Sequence, residues 1–193
     1  MGKDLSSALR PAIVMTILFA LLLGLGYPLA ITGIGQALFP AQANGSLVRD
    51  ASGRVIGSSV VGQAFAADRY FQTRPSAAGK GYDGLASSGS NLGPASQALV
   101  DRVKADRATR SVPGQPVPAD LVTASASGLD PDLSPEAALY QSARVARARG
   151  LDESRVRAIV AAQVEQPVLG ILGEPHVNVL ALNRALDRES RTP

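Results

Sequence analysis

The chain has 193 residues, enough for one domain and a small appendage, and it is 46% hydrophobic but only 4% aromatic, so Ala, Val, Leu and Ile have to build its core. Its 19 Lys and Arg against 16 Asp and Glu leave a formal net charge of +3, a weaker bias than nucleic-acid-binding proteins normally carry. The absence of cysteine excludes a disulfide framework and a thiolate metal site.

The first predicted element is a transmembrane helix at residues 11–39. No charged residue lies between Arg10 and Arg49, and the segment PAIVMTILFALLLGLGYPLAITGIGQALF is almost wholly apolar. A bilayer core of ~30 Å needs about 20 helical residues, so this segment is long enough to cross it. A cleaved signal peptide has an apolar region of only about 7–15 residues. The small-x-small sequence at residues 41–43 comes too late for such a peptide, so we expect a retained anchor.

Small residues and a proline distinguish the middle of this predicted span. Ala20, Gly24 and Gly26 would form a smooth face that another membrane helix can approach closely. The alternative is that glycine is simply common in membrane helices. Pro28 can kink the helix, and a membrane helix tolerates this because neighbouring helices and water can satisfy the backbone carbonyl that a proline leaves without a donor.

The orientation of the span is only weakly encoded in the charges at its two ends. Lys3 and Arg10 precede the span, and basic residues follow it from Arg49 onward, so the positive-inside rule barely distinguishes the two sides. Because the preceding tail is short and the following domain is large, we expect residues 1–10 in the cytoplasm and residues 40–193 outside it.

After the span, the chain is predicted to form one compact soluble domain of the α/β or α+β class. Asp50, Ala51, Ser52 and Gly53 form a turn cluster between apolar residues, which predicts a β-hairpin. Residues 68–94 are rich in Gly, Ser and Pro and predict a long ordered loop, which an aromatic pair at residues 70–71 would anchor to the core.

Four helices are predicted in this domain from apolar periodicity and capping residues. The first three are expected at residues 95–110, 135–149 and 153–165. The apolar face of the first would consist of Leu99, Val100 and Val103. Ser134 and Asp152 are the predicted N-caps of the second and third, and Gly150 ends the second. The Pro-rich residues 111–122 should be extended, and the fourth helix follows a short strand at residues 177–179.

Two segments of the domain resemble each other. Both SGSNLGP at residues 88–94 and SASGLDP at residues 125–131 read Ser-small-Ser-x-Leu-x-Pro, and each is predicted to lead into a helix. Ser and Asn side chains satisfy free backbone donors near a helix start. Helix N-termini also favour anions, so contact with phosphate or carboxylate is one hypothesis. Two capped helix starts without a ligand are the alternative.

A catalytic site is poorly supported by the residues present. A Ser-His-Asp site would have to use the single histidine, His176, with Ser125 or Ser127 and Asp130. Neither serine lies in the Gly-x-Ser-x-Gly turn that exposes such a nucleophile. A membrane-anchored serine hydrolase using Ser125 or Ser127 therefore remains only the alternative function.

Nucleotide and metal sites receive little support either. Arg74 and Gly81 stand where a Walker loop needs Gly and Ser or Thr. A carboxylate site is open to Asp120, Asp130 and Asp132, although turn and cap roles also explain these residues. A basic cluster, read either as a solvated face or as a contact with a partner or lipid, consists of Arg144, Arg147, Arg149, Arg155 and Arg157.

Several motifs together resemble one protein family along nearly the whole chain. They are the single N-terminal span and the segments YFQTRPSA (70–77), SSGSNLGP (87–94), DLVTASASGLDPDLSPEAA (120–138), RVARARGL (144–151) and LGEPHVNVLALNRALD (172–187). With these motifs the chain resembles the C subunit of the bacterial high-affinity potassium-transporting P-type ATPase, the Kdp complex.

The resemblance implies an accessory subunit that is not an enzyme on its own. Its partners would be a channel-like A subunit that selects potassium, a B subunit that hydrolyses ATP, a small single-span F subunit and membrane lipid. The resemblance also implies a role in assembly and stability, and a catalytic chaperone effect that raises the ATP affinity of the B subunit. ATP and potassium are implied as ligands of the complex, in the bacterial inner membrane, without a recognisable binding motif in this chain.

The polar loops are the expected contact points with these partners. The predicted docking residues are Arg74, Ser76, Ser90, Asn91, Thr123, Ser125 and Asp130. The membrane-helix packing residues would be Ala20, Gly24, Gly26 and Pro28.

Overall fold

The computed structural model of the chain describes the backbone of residues 2–189 and the side chains of residues 7–189. Met1, the side chain of Lys3 and residues 190–193, which belong to the predicted tail and domain, lie outside this described part. The chain divides into two compact units, the first ending at Leu47 and the second beginning at Val48.

The first unit is built on a long apolar helix, as predicted. Helix α1 (Gly2–Leu21) continues through a π-helical turn (Leu22–Gly26) into α2 (Tyr27–Leu38), and the short α3 (Pro40–Ala43) follows. Within residues 7–38 the most apolar 18-residue window has a mean hydropathy of 2.2, and none of that window is buried. Among the described residues this is the one helix long and apolar enough to cross a membrane.

The π-helical turn lies directly before Pro28. The Tyr27 N–H donates to the Leu22 carbonyl five residues earlier, which widens the turn. A proline ring clashes with the carbonyl four residues before it, and π-turns are a common site of such helix irregularities. A Cβ atom added to Gly24 would meet no atom within 4 Å, so the predicted small-residue face is open within this unit.

The predicted hairpin is present at residues 47–58. Strands β1 (Leu47–Arg49) and β2 (Val55–Ser58) pair with each other. The Asp50 carboxylate accepts hydrogen bonds from the Ser52 backbone N–H at 2.9 Å and the Ser52 hydroxyl at 2.6 Å. Gly53 has a φ of +83°, which glycine adopts without steric cost. The turn chemistry therefore explains the hairpin.

The domain also contains a three-stranded antiparallel sheet. Its strands β3 (Asp132–Leu133), β4 (Val164–Glu165) and β5 (His176–Asn178) stand in the order β3-β5-β4. Val177 pairs with Leu133 on one side and with Val164 on the other, and its own side chain is fully buried. This small antiparallel sheet identifies the domain as α+β, one of the two predicted classes.

Helices α5 (Pro135–Arg149), α6 (Glu153–Ala162) and α7 (Val179–Glu189) supply most of the core. Their fully buried side chains include Val145, Val156, Val160, Leu182 and Leu186. Helix α5 has the predicted bounds: the Ser134 hydroxyl accepts from the Ala137 N–H at 3.2 Å, and Gly150 adopts the left-handed conformation at the other end. Phe71, also fully buried, anchors the long loop to this core, as predicted.

Helix α4 (Gln97–Arg110) differs from its prediction. It begins at Gln97 instead of residue 95 and contains no buried residue. Leu99 and Val103 are half-buried, and Val100 is 39% exposed. The predicted apolar face therefore covers the domain only loosely, because most of the helix is in solvent.

Four other local expectations are also corrected. Helix α6 ends at Ala162, not residue 165, because β4 pairs with β5. Asp152 occupies its N-cap position, but the side chain makes no capping hydrogen bond. The expected strand at residues 177–179 lies one residue earlier, because the Val179 N–H donates to the Pro131 carbonyl at 2.9 Å and begins α7. Within 111–122, Ala119–Leu121 forms a 3-10 turn.

Candidate functional site

The polar motifs of the sequence meet in one loop cluster, which we define as residues 74–91 together with residues 123–131. The Ser88 N–H donates to the Ser127 carbonyl at 2.9 Å, and the Ser87 hydroxyl donates to the same carbonyl at 3.0 Å. The two segments that resemble each other in sequence therefore lie directly against each other.

Arg74 and Asp130 form the charged centre of the loop cluster. Arg74 Nη1 lies 2.8 Å from Asp130 Oδ2, and both side chains are about three-quarters buried, with exposures of 24% and 27%. Arg74 Nε also donates to the Thr123 carbonyl at 3.3 Å, and Asp130 Oδ1 accepts from the Asp132 N–H at 3.0 Å. These two predicted docking residues thus hold the loops together, and Thr123 takes part through its backbone.

Ser76 is the second link between the two loops. Its hydroxyl donates to the Gly128 carbonyl at 2.6 Å and accepts from the N–H groups of Tyr82 at 2.8 Å and Ala78 at 3.2 Å. One hydroxyl has one donor and two acceptor positions, so these three bonds saturate it. Ser76 therefore has no free hydrogen-bonding capacity for a ligand in this conformation.

Glycines permit the close approach of the two loops. Gly128 has a φ of +67°, and a Cβ atom there would lie 2.6 Å from the Ala78 nitrogen and 2.7 Å from the Ser88 oxygen. A Cβ atom on Gly89 would lie 2.9 Å from the Ala126 oxygen. Both contacts are far too short for a side chain, so glycine is required where the loops touch.

Ser125 and Ser127 do not form a catalytic arrangement with the histidine among the described residues. Ser125 is 8% exposed, its Oγ lies 3.4 Å from the Ser127 Oγ, and the latter accepts from the Leu129 N–H at 3.1 Å. His176 instead donates through Nδ1 to the Glu174 carbonyl at 3.0 Å. The serine hydrolase alternative therefore has no support from the geometry.

Ser90 and Asn91 lie at the edge of the loop cluster and, like the exposed Thr123, are predicted docking residues with free side chains. None of these side chains hydrogen-bonds to any of the described residues. Ser90 is half-buried and Asn91 is exposed. Asn91 has a φ of +51°, a conformation that asparagine tolerates better than most residues. Their polar groups are available to a partner, unlike those of Arg74 and Ser76.

The prediction that both similar segments open helices is wrong for the second. Residues 125–131 lead into strand β3 before α5 begins at Pro135. Residues 88–94 do precede α4, but Ser96 at its N-cap position makes no side-chain capping bond. Loop-to-loop packing, and not helix capping, therefore explains why these polar residues occur together.

The acidic residues that were candidates for a carboxylate site form hydrogen bonds within the domain. Asp120 Oδ2 accepts from the Ser134 N–H at 2.7 Å, and Asp132 Oδ1 accepts from Asn178 Nδ2 at 3.0 Å. Burial raises the pKa of the Asp132 carboxyl above its ordinary value, although the bond from Asn178 opposes this shift. No cluster of three or more potential ligands for a metal ion occurs in the part of the chain that the structure describes.

The segment RPSAAGKGY at residues 74–82 is irregular, with neither a strand before it nor a helix after it. A phosphate-binding Walker loop requires a strand-loop-helix arrangement. Gly79 here has a φ of +53° and packs against the Asp83 side chain. The segment therefore has neither the sequence nor the backbone setting of a nucleotide-binding loop.

Part of the predicted basic cluster has a structural role. Arg144 Nη1 donates to the Asp68 carbonyl at 2.6 Å, and Nη2 donates to the Tyr70 carbonyl at 3.1 Å. Arg149, whose side chain is only 2% exposed, lies 2.9 Å from Asp187 and 5.0 Å from the centre of the Tyr70 ring. These two arginines hold the start of the long loop, so they are not simply a solvated face.

Two polar residues on helices position the loop and were missed by sequence reasoning. The buried Gln141 accepts from the Gln72 N–H at 2.9 Å and donates to the Gln72 carbonyl at 3.0 Å. The buried Asn183 makes the same pair of bonds with Phe71. The available signal was a polar residue within the apolar face of a predicted helix. Because buried polar groups are normally hydrogen-bonded, such a residue indicates a partner inside the domain.

Comparison with known proteins points to one family. The family model described as KdpC, K+-transporting ATPase, c chain, matches residues 9–188. The potassium-transporting ATPase KdpC subunit of Caulobacter vibrioides is 60% identical over 183 residues, covering 94% of this chain and 93% of that protein. The subunit of the same name from Myxococcus xanthus is 58% identical over 186 residues, covering 94% and 86%. That of Methylobacterium nodulans is 55% identical over 193 residues, covering 93% and 96%.

Proposed function

Because the chain belongs to the KdpC family, the c chain of K+-transporting ATPases, we propose that it is the non-catalytic accessory subunit of an ATP-driven, high-affinity potassium import pump. The observation that carries this proposal is the family match over residues 9–188, together with relatives named as this subunit at 60% identity. The apolar helix at residues 7–38 fits a membrane anchor.

The proposed role of the domain is to assemble and stabilise the pump. Its partners would be the channel-like A subunit, the ATP-hydrolysing B subunit and the small F subunit. The polar groups of Arg74, Ser76 and Asp130 are already bonded within the loop cluster. We therefore assign them, with the Thr123 backbone carbonyl and Ser125, to positioning the loops.

Direct docking is better suited to the free edge of the loop cluster. Asn91 is exposed and Ser90 is half-buried, and the chain around them is held by the bonds to Ser127. A rigid edge loses little conformational entropy on binding, which favours affinity. Ser90 and Asn91 are thus the proposed partner contacts of the loop cluster.

An effect on ATP affinity would have to be indirect. The described residues of this chain contain no nucleotide-binding loop, and ATP would be bound by the B subunit. A subunit changes the ligand affinity of its partner only by contacting two conformations of that partner differently. We propose that the domain favours the conformation of the pump that binds ATP more tightly.

The proposed topology places the N-terminal tail in the cytoplasm and the domain in the periplasm, with one pass through the inner membrane. Because the chain has no cysteine, single introduced cysteines report accessibility without background. A Lys80→Cys variant should react with a membrane-impermeant maleimide in intact spheroplasts, whereas a cysteine placed before Arg10 should react only after lysis. The reverse pattern would contradict this topology.

Omission of the subunit tests the proposed function. Membranes containing the A, B and F subunits without this chain should lose potassium-stimulated ATP hydrolysis, and co-expression of the chain should restore it. If the chaperone role is correct, any residual activity without the chain should have a higher apparent KM for ATP. Full potassium-stimulated hydrolysis at an unchanged KM without the chain would overturn the proposal.

A further inference from the structure

The connection between β4 and β5 carries an ordered turn at residues 166–173, which we call the apolar loop. The Val168 N–H donates to the Leu172 carbonyl at 3.0 Å, and the Leu172 N–H donates back to the Val168 carbonyl at 3.0 Å. The Gly170 N–H donates to the Pro167 carbonyl at 2.9 Å. The shape of the apolar loop is therefore set by its own backbone hydrogen bonds.

The apolar loop exposes large aliphatic side chains next to one another. Val168 is 65% exposed, Leu169 85%, Ile171 80% and Leu172 60%. Single exposed apolar residues such as Val60, at 62%, are normal on protein surfaces. A contiguous group of four marks an interaction surface instead.

The backbone at the tip of the apolar loop adds to this argument. Leu169 has a φ of +55° and Gly170 has a φ of +74°. A bulky residue such as leucine rarely adopts this left-handed conformation, and backbone strain of this kind concentrates at binding sites. Leu169 is both strained and exposed, so it contributes little to the stability of its own domain.

The charges around the apolar loop distinguish a protein partner from a lipid surface. No Lys or Arg occurs between Arg157 and Arg184, whereas Glu165 and Glu174 flank the apolar loop on its two sides. The Glu165 side chain is 64% exposed, and its Oε2 lies 3.8 Å from His176 Nε2. The Glu174 carboxylate makes no hydrogen bond or ion pair with the described residues. Segments that insert into membrane interfaces typically carry Lys, Arg, Trp or Tyr, and anionic headgroups repel carboxylates.

We propose that the apolar loop docks into an apolar groove, rimmed by Lys or Arg, on another subunit of the potassium-transporting complex. This inference rests on the proposed function and deepens it by naming the docking segment and the chemistry of its receptor. Leu169 and Ile171 would occupy the groove, and Glu165 and Glu174 would face its basic rim. Such charge complementarity fixes the register of an interface and excludes wrong partners.

Retention of the full-length chain in the detergent-purified complex, captured through a tag on the ATP-hydrolysing subunit, tests this proposal. The variant carries Leu169→Asn and Ile171→Asn, because asparagine tolerates the left-handed conformation at position 169. The matched control is Val60→Asn, an exposed apolar residue of the same domain. We expect the double variant to be retained at least about tenfold more weakly, as for loss of a central interface anchor, and the control to be retained like the wild type.

A charge variant tests the basic rim separately. Glu174→Lys should weaken retention and should remove part of its sensitivity to salt, because attraction across the rim is screened by ions. Circular dichroism melts of the full-length variants in detergent should match the wild type, since these side chains pack little against the domain. Unchanged retention of both variants alongside a retained wild type would overturn the proposal.

Two further measurements test whether the apolar loop contacts lipid or a second copy of this chain instead. An Ile171→Cys variant labelled with a fluorophore and reconstituted in vesicles without the other subunits should not be quenched by brominated lipid. The same variant with its thiol left free should not form disulfide-linked dimers in such vesicles under mild oxidation. Quenching would assign the apolar loop to lipid, and dimers would assign it to a second copy, and either result would overturn the proposal. Failure of the wild-type chain itself to be captured would instead contradict the proposed function.

Discussion

The side-chain amide of Asn183 pairs with the backbone of Phe71 across 112 residues of sequence. Asn183 Oδ1 accepts from the Phe71 N–H at 2.8 Å, and Asn183 Nδ2 donates to the Phe71 carbonyl at 3.0 Å. Asn183 is 2% exposed and Phe71 is fully buried. The side chain of this asparagine on α7 therefore satisfies both backbone polar groups of a loop residue, as a neighbouring strand would in a β-sheet.

Replacement of this asparagine should destabilise the domain strongly. Asn183→Ala leaves a buried N–H and a buried carbonyl without partners, and each unsatisfied group costs about 1–3 kcal/mol. We expect a loss of roughly 2–6 kcal/mol in the free energy of unfolding, measured by urea denaturation of the full-length chain in detergent. Asn178→Ala, which removes exposed or half-buried hydrogen bonds, should cost less. Equal losses would contradict the special role of the Phe71 contact.

The close approach of the two similar segments gives a prediction with an internal control. Gly128 and Gly150 have φ values of +67° and +66°, but a Cβ atom at position 150 would meet nothing within 4 Å. Gly150→Ala should therefore cost only the conformational strain, about 1–2 kcal/mol. Gly128→Ala adds a clash with the backbone of Ala78 and Ser88 and should cost clearly more.

Thermal melts of the two variants measure this difference. In addition, Gly128→Ala should increase hydrogen exchange at the Ser88 amide, whose bond to Ser127 crosses between the segments. Gly150→Ala should leave that amide as protected as in the wild type. Similar melting temperatures and similar exchange in both variants would show that the loops do not depend on the close contact.

The pH dependence of stability should contain a contribution from Asp132. Burial raises the pKa of this carboxyl above its ordinary value of 3.8, and Asp130 and Glu165 add to the shift. Asn178 and His176 oppose it. Because the folded pKa is the higher one, the stabilising contribution is present below pH 3.8 and is lost as pH rises through the folded pKa.

Asp132→Asn keeps an oxygen for the bond from Asn178 and removes the ionisation. The stability of this variant relative to the wild type should therefore increase between pH 3.5 and pH 7, a window that brackets roughly the ordinary carboxyl range. His176 titrates nearby and its own pKa is raised, chiefly by the bond to the Glu174 carbonyl, so the double variant with His176→Gln is the control. The same stability difference between variant and wild type at both pH values would refute a pH-dependent contribution from Asp132.

Local signals in the sequence were sufficient for some elements and insufficient for others. Ser134 and Gly150 predicted both ends of α5, because capping depends on neighbouring residues alone. The end of α6 was misplaced because β4 exists only through pairing with β5, whose residues lie far along the chain. Such a short strand does not show the alternation of apolar and polar residues by which strands are predicted.

The loop cluster likewise depends on contacts between distant residues, which local sequence patterns do not reveal. The repeated Ser-small-Ser pattern identified both segments, but not that they pack against each other. Asp130 is a predicted docking residue, and no local signal showed that Arg74, 56 residues earlier, binds it inside the domain. Pairings between distant loops are set by the tertiary fold, so a single sequence does not encode them in a readable pattern. Nothing in the sequence singled out Leu169 and Ile171, because their exposure becomes visible only in the folded chain.

The N-terminal helix should be retained in the mature protein. The described span covers residues 7–38, longer than the apolar region of about 7–15 residues in a cleaved signal peptide. Intact-mass spectrometry of the protein extracted from native membranes should therefore find residues 1–39 present. A mature N-terminus near Asn44 would contradict a retained anchor.

Co-purification tests most directly whether the chain is a subunit of a potassium-transporting ATPase. The full-length chain, tagged at its C-terminus and extracted from native membranes in mild detergent, should bring the potassium-selecting and the ATP-hydrolysing subunits with it in equal amounts, and the eluate should hydrolyse ATP in response to potassium. The account is contradicted if the tagged chain elutes alone while the potassium-stimulated ATPase activity stays complete in the unbound fraction.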